Sequence, residues 1–181
     1  MNIIVLNGSP RTLGNCDKLI NAALSAFSRE DKVKRFDMYK LLPTPCNACG
    51  YCKAADGCSK KDLEEFLGYY AESDVIIVAT PVYNYSMPAP LKALFDRFQR
   101  FYEATHKRGI ENPFERHKSA LLIVTSGGDG RIGFEVIKKQ VEGGFENMNT
   151  KLCASVLFSE TDSKQLSDAD LTKARELVRY I

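Results

Sequence analysis

Five short runs of apolar, mostly β-branched residues recur along this chain of 181 residues: 2–6 (NIIVL), 31–36 (DKVKRF), 74–79 (DVIIVA), 120–125 (ALLIVT) and 152–158. The strongest of them are continuous, not alternating, which marks strands covered on both faces. Between the runs the period changes to that of a helix. Leu19, Ile20, Ala23, Leu24 and Phe27 fall on one helical face, as do Leu63, Phe66, Leu67 and Tyr70. A longer stripe runs through Leu91, Leu94, Phe95, Phe98, Phe101 and Tyr102, and another through Phe134, Ile137, Val141, Phe145 and Met148. Strands that alternate with helices imply βαβ units and a parallel sheet. The expected architecture is α/β, a doubly wound five-stranded parallel sheet in a three-layer α/β/α sandwich, one domain over residues 1–181.

Several local signals refine that outline. Ser167-Asp168-Ala169-Asp170 reads as a capping box opening a C-terminal helix through Leu171, Ala174, Leu177, Val178 and Ile181. Gly143-Gly144 should weaken the fourth stripe by around 1 kcal/mol per glycine. Residues 40–59 read as a loop, and 106–117 as a polar connector containing Gly109 and Pro113.

Composition removes whole classes of function. With 25 basic and 23 acidic residues the net charge is +2, and no basic stripe marks a nucleic-acid face. No apolar run approaches the roughly 20 residues of a membrane span. The first six residues lack the basic segment and cleavage site of a signal peptide, so a cytoplasmic location is expected.

In a doubly wound sheet ligands bind beyond the carboxyl ends of the strands. The loops leaving the first, third and fourth runs are also the three of unusual composition. The first, Gly8-Ser9-Pro10-Arg11-Thr12-Leu13-Gly14-Asn15-Cys16, brings hydroxyls, backbone N–H groups and an arginine to a helix N-terminus, which suits an anion. It has neither the Gly-Lys-Ser/Thr of a P-loop nor a G-x-G-x-x-G. The second, residues 80–90, carries Pro81, Pro88 and Pro90, which stiffen an extended edge beside Tyr83 and Tyr85 suited to a flat heterocycle. The third, Thr125-Ser126-Gly127-Gly128-Asp129-Gly130, permits close backbone approach.

Four of the six cysteines form Cys46-x2-Cys49-x2-Cys52-x5-Cys58. Clustered thiols in a reducing compartment suggest metal or redox chemistry. The tight spacing suits iron–sulfur ligation more than zinc, whose ligand pairs usually stand further apart. Structural thiols, or a disulfide formed on oxidation, are the alternatives. His106 and His117 read as solvated surface, and no side chain is singled out as catalytic.

Gly8-Ser9-Pro10-Arg11…Gly14-Asn15, taken with Pro81-Val82-Tyr83-Asn84…Met87-Pro88…Leu91-Lys92…Phe95-Asp96-Arg97, resembles the flavodoxin-like NADPH-dependent FMN reductase family over nearly the whole chain. The resemblance implies a flavodoxin-like fold and an NAD(P)H-dependent FMN oxidoreductase passing electrons to a small acceptor such as a quinone, nitro compound or flavin. It implies that Ser9, Arg11, Asn15 and the backbone at Cys16 hold the FMN phosphate. Pro81, Val82, Tyr83 and Asn84 would line the isoalloxazine edge, with Ser126, Gly127 and Gly128 on its other side. Two departures stand out: Tyr85 occupies a position often small in the family, and Cys16 replaces a usual threonine or serine. The cysteine spacing resembles that of iron-sulfur flavoproteins, a branch of the same fold, and implies a [4Fe-4S] cluster at Cys46, Cys49, Cys52 and Cys58. Such a protein would be an electron carrier fed by ferredoxin, whereas plain FMN reductases with a similar cysteine pattern work without a cluster. Either way the resemblance implies a homodimer or homotetramer. The basic pair Lys107-Arg108 would face a nicotinamide phosphate or a neighbouring subunit.

Overall fold

The computed structural model describes residues 1–110 and 114–181. Five strands, β1 (Asn2–Asn7), β2 (Lys32–Asp37), β3 (Val75–Pro81), β4 (Lys118–Thr125) and β5 (Thr150–Phe158), form one sheet in the order β2-β1-β3-β4-β5. Every neighbouring pair is parallel. The chain first steps outward from β1 to β2, then returns past β1 to β3. That reversal opens a crevice at the carboxyl ends of β1 and β3, where this strand order places ligands.

Side-chain alternation divides the core between two faces. Ile3, Val5, Ile77, Ala79, Leu121 and Ile123 pack under α1 (Asn15–Leu24) and α8 (Asp168–Glu176). Ile4, Leu6, Ile76, Val78, Leu122 and Val124 point to the opposite face and a larger aromatic cluster. That second layer contains α4 (Glu64–Glu72), α5 (Ala89–Arg97), α6 (Gln99–Arg108) and α7 (Arg131–Phe145). The continuous apolar strands are therefore the three central ones, while β2, with its KVKRFD sequence, takes an edge.

Four details differ from expectation. Two single-turn helices, α2 (Met38–Leu41) and α3 (Tyr51–Ala54), interrupt the segment read as loop. The long stripe through residues 91–102 is two helices that break at Phe98. The break lets Phe95, Phe98 and Phe101 all face the aromatic core, with the Phe98 ring 5.1 Å from Phe95 and 6.3 Å from Phe101. Helix α6 reaches Arg108, so His106, Lys107 and Arg108 belong to a helix, which Gly109 ends at φ 67°. Of the expected connector, Pro113 lies outside the described residues. At the C-terminus the capping box of Ser167 and Asp170 is formed, but α8 tightens into a 3-10 turn over Leu177–Tyr180.

Candidate functional site

The loop after β1 is fixed from beneath. Asn7 closes β1 and its Nδ2 donates to Asp37 Oδ1 at 2.9 Å, while its Oδ1 accepts from the Ser9 backbone at 3.1 Å. Arg35 pairs with both Asp17 and Asp37. The buried Asp17 accepts in turn from the Leu13 backbone N–H, which pins the far end of the loop. Burial works against the Asp37 carboxylate, but its bonds to Asn7 and Arg35 hold its pKa below the ordinary value. Above this network the N-terminus of α1 has Gly14 as its N-cap and no side-chain cap. Its first-turn N–H groups are thus free to meet a ligand. Among the described residues the exposed Arg11 guanidinium forms no ion pair. Cys16, just inside the helix, is buried with its Sγ 3.5 Å from Thr125 Oγ1, and burial pushes its pKa up to about 11. It is a neutral thiol that packs.

The second loop leaves β3 alongside β4, with Val82 N–H donating to Thr125 O at 2.8 Å. Tyr83 and Ser86 exchange backbone hydrogen bonds across a tight turn, at 2.8 and 2.9 Å. Asn84 and Tyr85 at its tip have φ of 48° and 62°, which Asn tolerates and Tyr does not favour. The turn lies against α7, where a Cβ on Gly133 would come within 2.4 Å of Val82 Cγ1.

These loops enclose a cavity of about 160 Å³ beyond the carboxyl ends of β1, β3 and β4. Of the residues selected from sequence, Ser9, Arg11, Asn15, Cys16, Pro81, Val82, Tyr83 and Gly127 line it. Asn84, Ser126 and Gly128 stand outside its wall. Thr125, the first residue of the third loop, lines it too, as do Thr161 and Asp162, which were not foreseen. Thr161 and Asp162 come from a fourth loop, after β5, whose composition carries no signal; only the general position of sites beyond strand ends points there.

The four clustered cysteines also meet. Cys46, Cys49, Cys52 and Cys58 all line a separate cavity of about 260 Å³, walled further by Lys53, Lys60, Arg97, Arg100 and Glu103. Arg97 is 3% exposed and ties down the ends of this loop. It donates to Thr44 O and Asp62 Oδ1, both at 2.9 Å, and to Lys60 O at 2.8 Å. Cys49 is exposed, with its Sγ 3.2 Å from Ser59 Oγ; that hydroxyl and the Tyr51 N–H lower its pKa. Burial raises that of Cys52, reinforced by Glu103. Among the described residues no three His, Cys, Asp or Glu side chains gather around one point. A single zinc ion needs that convergence, with sulfurs about 2.3 Å away.

A parallel sheet in the order 2-1-3-4-5, with a cavity beyond the carboxyl ends of β1, β3 and β4, defines the flavodoxin-like class of folds. Residues 1–171 match the NADPH-dependent FMN reductase family, and the chain belongs to that family. It is 42% identical over 99 residues to an iron-sulfur flavoprotein of Methanosarcina thermophila, covering 54% of this chain and 52% of that protein. An FMN-dependent NAD(P)H:quinone oxidoreductase of Pseudomonas aeruginosa is 32% identical over 72 residues, 37% of this chain and 34% of its own. Among solved structures, an azoreductase from Bacillus anthracis shares the fold with a TM-score of 0.72 at 18% identity, each chain fully covered. The chain spans about half the length of the first of these curated relatives.

Proposed function

We propose that the protein is an FMN-dependent oxidoreductase that takes electrons from NAD(P)H and passes them to a small acceptor such as a quinone, nitro compound or flavin. The observation that carries this reading is the cavity where four strand-end loops meet a helix N-terminus without a side-chain cap and an arginine that forms no ion pair among the described residues. Those groups fit FMN. Arg11, Ser9, Asn15 and the first-turn amides of α1 hold the phosphate, and the stiffened backbone at residues 81–83, facing Gly127, holds the ring. FMN supplies hydride acceptance and electron release; the protein supplies orientation and electrostatics. Names of relatives that include FMN-dependent quinone oxidoreductases support the reading.

The test is FMN affinity in Arg11→Ala. Loss of a charge-assisted hydrogen bond should weaken binding by about 1.5–3 kcal/mol. An unchanged dissociation constant removes Arg11 from the phosphate site.

The four-cysteine cavity favours a second reading, an iron-sulfur flavoprotein electron carrier holding FMN and a [4Fe-4S] cluster and fed by ferredoxin. Relatives carrying that name support it. Iron, sulfide and FMN per chain after anaerobic purification separate the two. About four iron atoms with one FMN, lost in Cys49→Ala, select the carrier. One FMN without iron, with turnover on NADPH, selects the reductase. In both cases we propose a homodimer or homotetramer.

A further inference from the structure

The fourth loop, bonded to the third, brings a carboxylate to the cavity. Past the end of the sheet, the loops after β4 and β5 continue to bond. Ser126 N–H donates to Phe158 O at 2.9 Å, Thr161 N–H and Oγ1 both reach Ser126 O at 3.0 Å, and Asp162 N–H reaches Gly127 O at 3.2 Å. Glu160 is held at φ 60° while its N–H bonds to Gly128 O at 2.9 Å. The position of Asp162 is thereby set by backbone, although its side chain is exposed.

Its carboxylate lies directly over Gly127, where a Cβ would come within 2.2 Å of Oδ2. The glycine is what admits it. Among the described residues this carboxylate has no hydrogen-bond or ion-pair partner. Arg11 lines the same cavity and is equally unpaired, so one free cation and one free anion face a shared space without joining. A phosphate satisfies the arginine. The carboxylate, exposed and an acceptor only, is free to exchange water for an N–H or O–H donor of a ligand.

We propose that Asp162 contacts the cofactor in the flavin pocket and sets its redox balance. It accepts a hydrogen bond from an N–H or O–H of FMN, and its charge disfavours the reduced, more negative cofactor relative to the oxidised one. This rests on the flavin reading above. A unit charge a few ångströms away in partly solvated surroundings alters a binding equilibrium by about tenfold.

The experiment measures dissociation constants of oxidised and reduced FMN, anaerobically, for the full chain and two variants. Asp162→Asn keeps the shape and removes the charge. Gly127→Ala leaves Asp162 in the sequence but puts a methyl where its carboxylate lies. Both should favour reduced FMN over oxidised by about tenfold relative to wild type, a rise of about 30 mV in the two-electron potential. An unchanged ratio in both variants, with FMN bound, overturns the proposal. A wild-type chain that binds no FMN overturns the flavin reading itself.

Discussion

Lys118 opens β4 with a fully buried ammonium group. It donates to Arg116 O at 2.8 Å and lies 5.0 and 5.3 Å from the ring centres of Phe114 and Tyr70. Burial, helped by the Arg116 charge, pushes its pKa down to about 8 from 10.5. Between those two values the unfolded chain holds a proton that the folded chain has released. Stability therefore gains from this residue as pH rises through that window, by at most about 1.4 kcal/mol per pH unit. In Lys118→Met that contribution should vanish, which urea unfolding of both proteins from pH 7.5 to 10.5 will show. Residues of this kind are poorly legible in sequence. Arg11 was readable because it follows a strand within a run of turn residues. Asp162 was not, because its place depends on hydrogen bonds to a loop 35 residues away in the chain.

At the scale of elements, sequence periodicity found each strand and the helical faces between them, with α5 and α6 read as one stripe. Gly143 and Gly144, expected to weaken the fourth stripe, both sit inside helix α7. They differ in surroundings: a Cβ on Gly143 meets nothing within 4 Å, whereas one on Gly144 would lie 2.4 Å from Phe95 Cδ1. Gly143→Ala should raise stability by about 0.5–1 kcal/mol through helix propensity. Gly144→Ala should lower it by about 1–3 kcal/mol, because the methyl overpacks the α5–α7 contact. Thermal unfolding of the two variants side by side checks the pair. Propensity alone assigns both the same sign; only tertiary packing separates them. The break at Phe98 escaped for a related reason, since an uninterrupted apolar stripe carries no mark of where a helix bends to serve the core.

For the molecule as a whole, strand order could be anticipated only as doubly wound, because registers and edges follow from packing. What sequence did not show is how the two cavities are joined. Helix α5 begins directly after the loop that lines the first and ends at Arg97, which secures the loop that lines the second. Arg97→Met should cost roughly 3 kcal/mol by stranding Asp62 and two carbonyls. It should also speed tryptic cleavage at Lys53, Lys60 and Lys61, measured by limited proteolysis beside an unfolding curve. The bonded loops after β4 and β5 have a consequence for biosynthesis. The cavity wall includes Ser9 and Asp162, so it closes only once a ribosome has released the chain past β5. Any ligand of this cavity is then captured only after β5 has emerged, and a nascent chain stalled before that strand has the loop after β1 but no finished pocket.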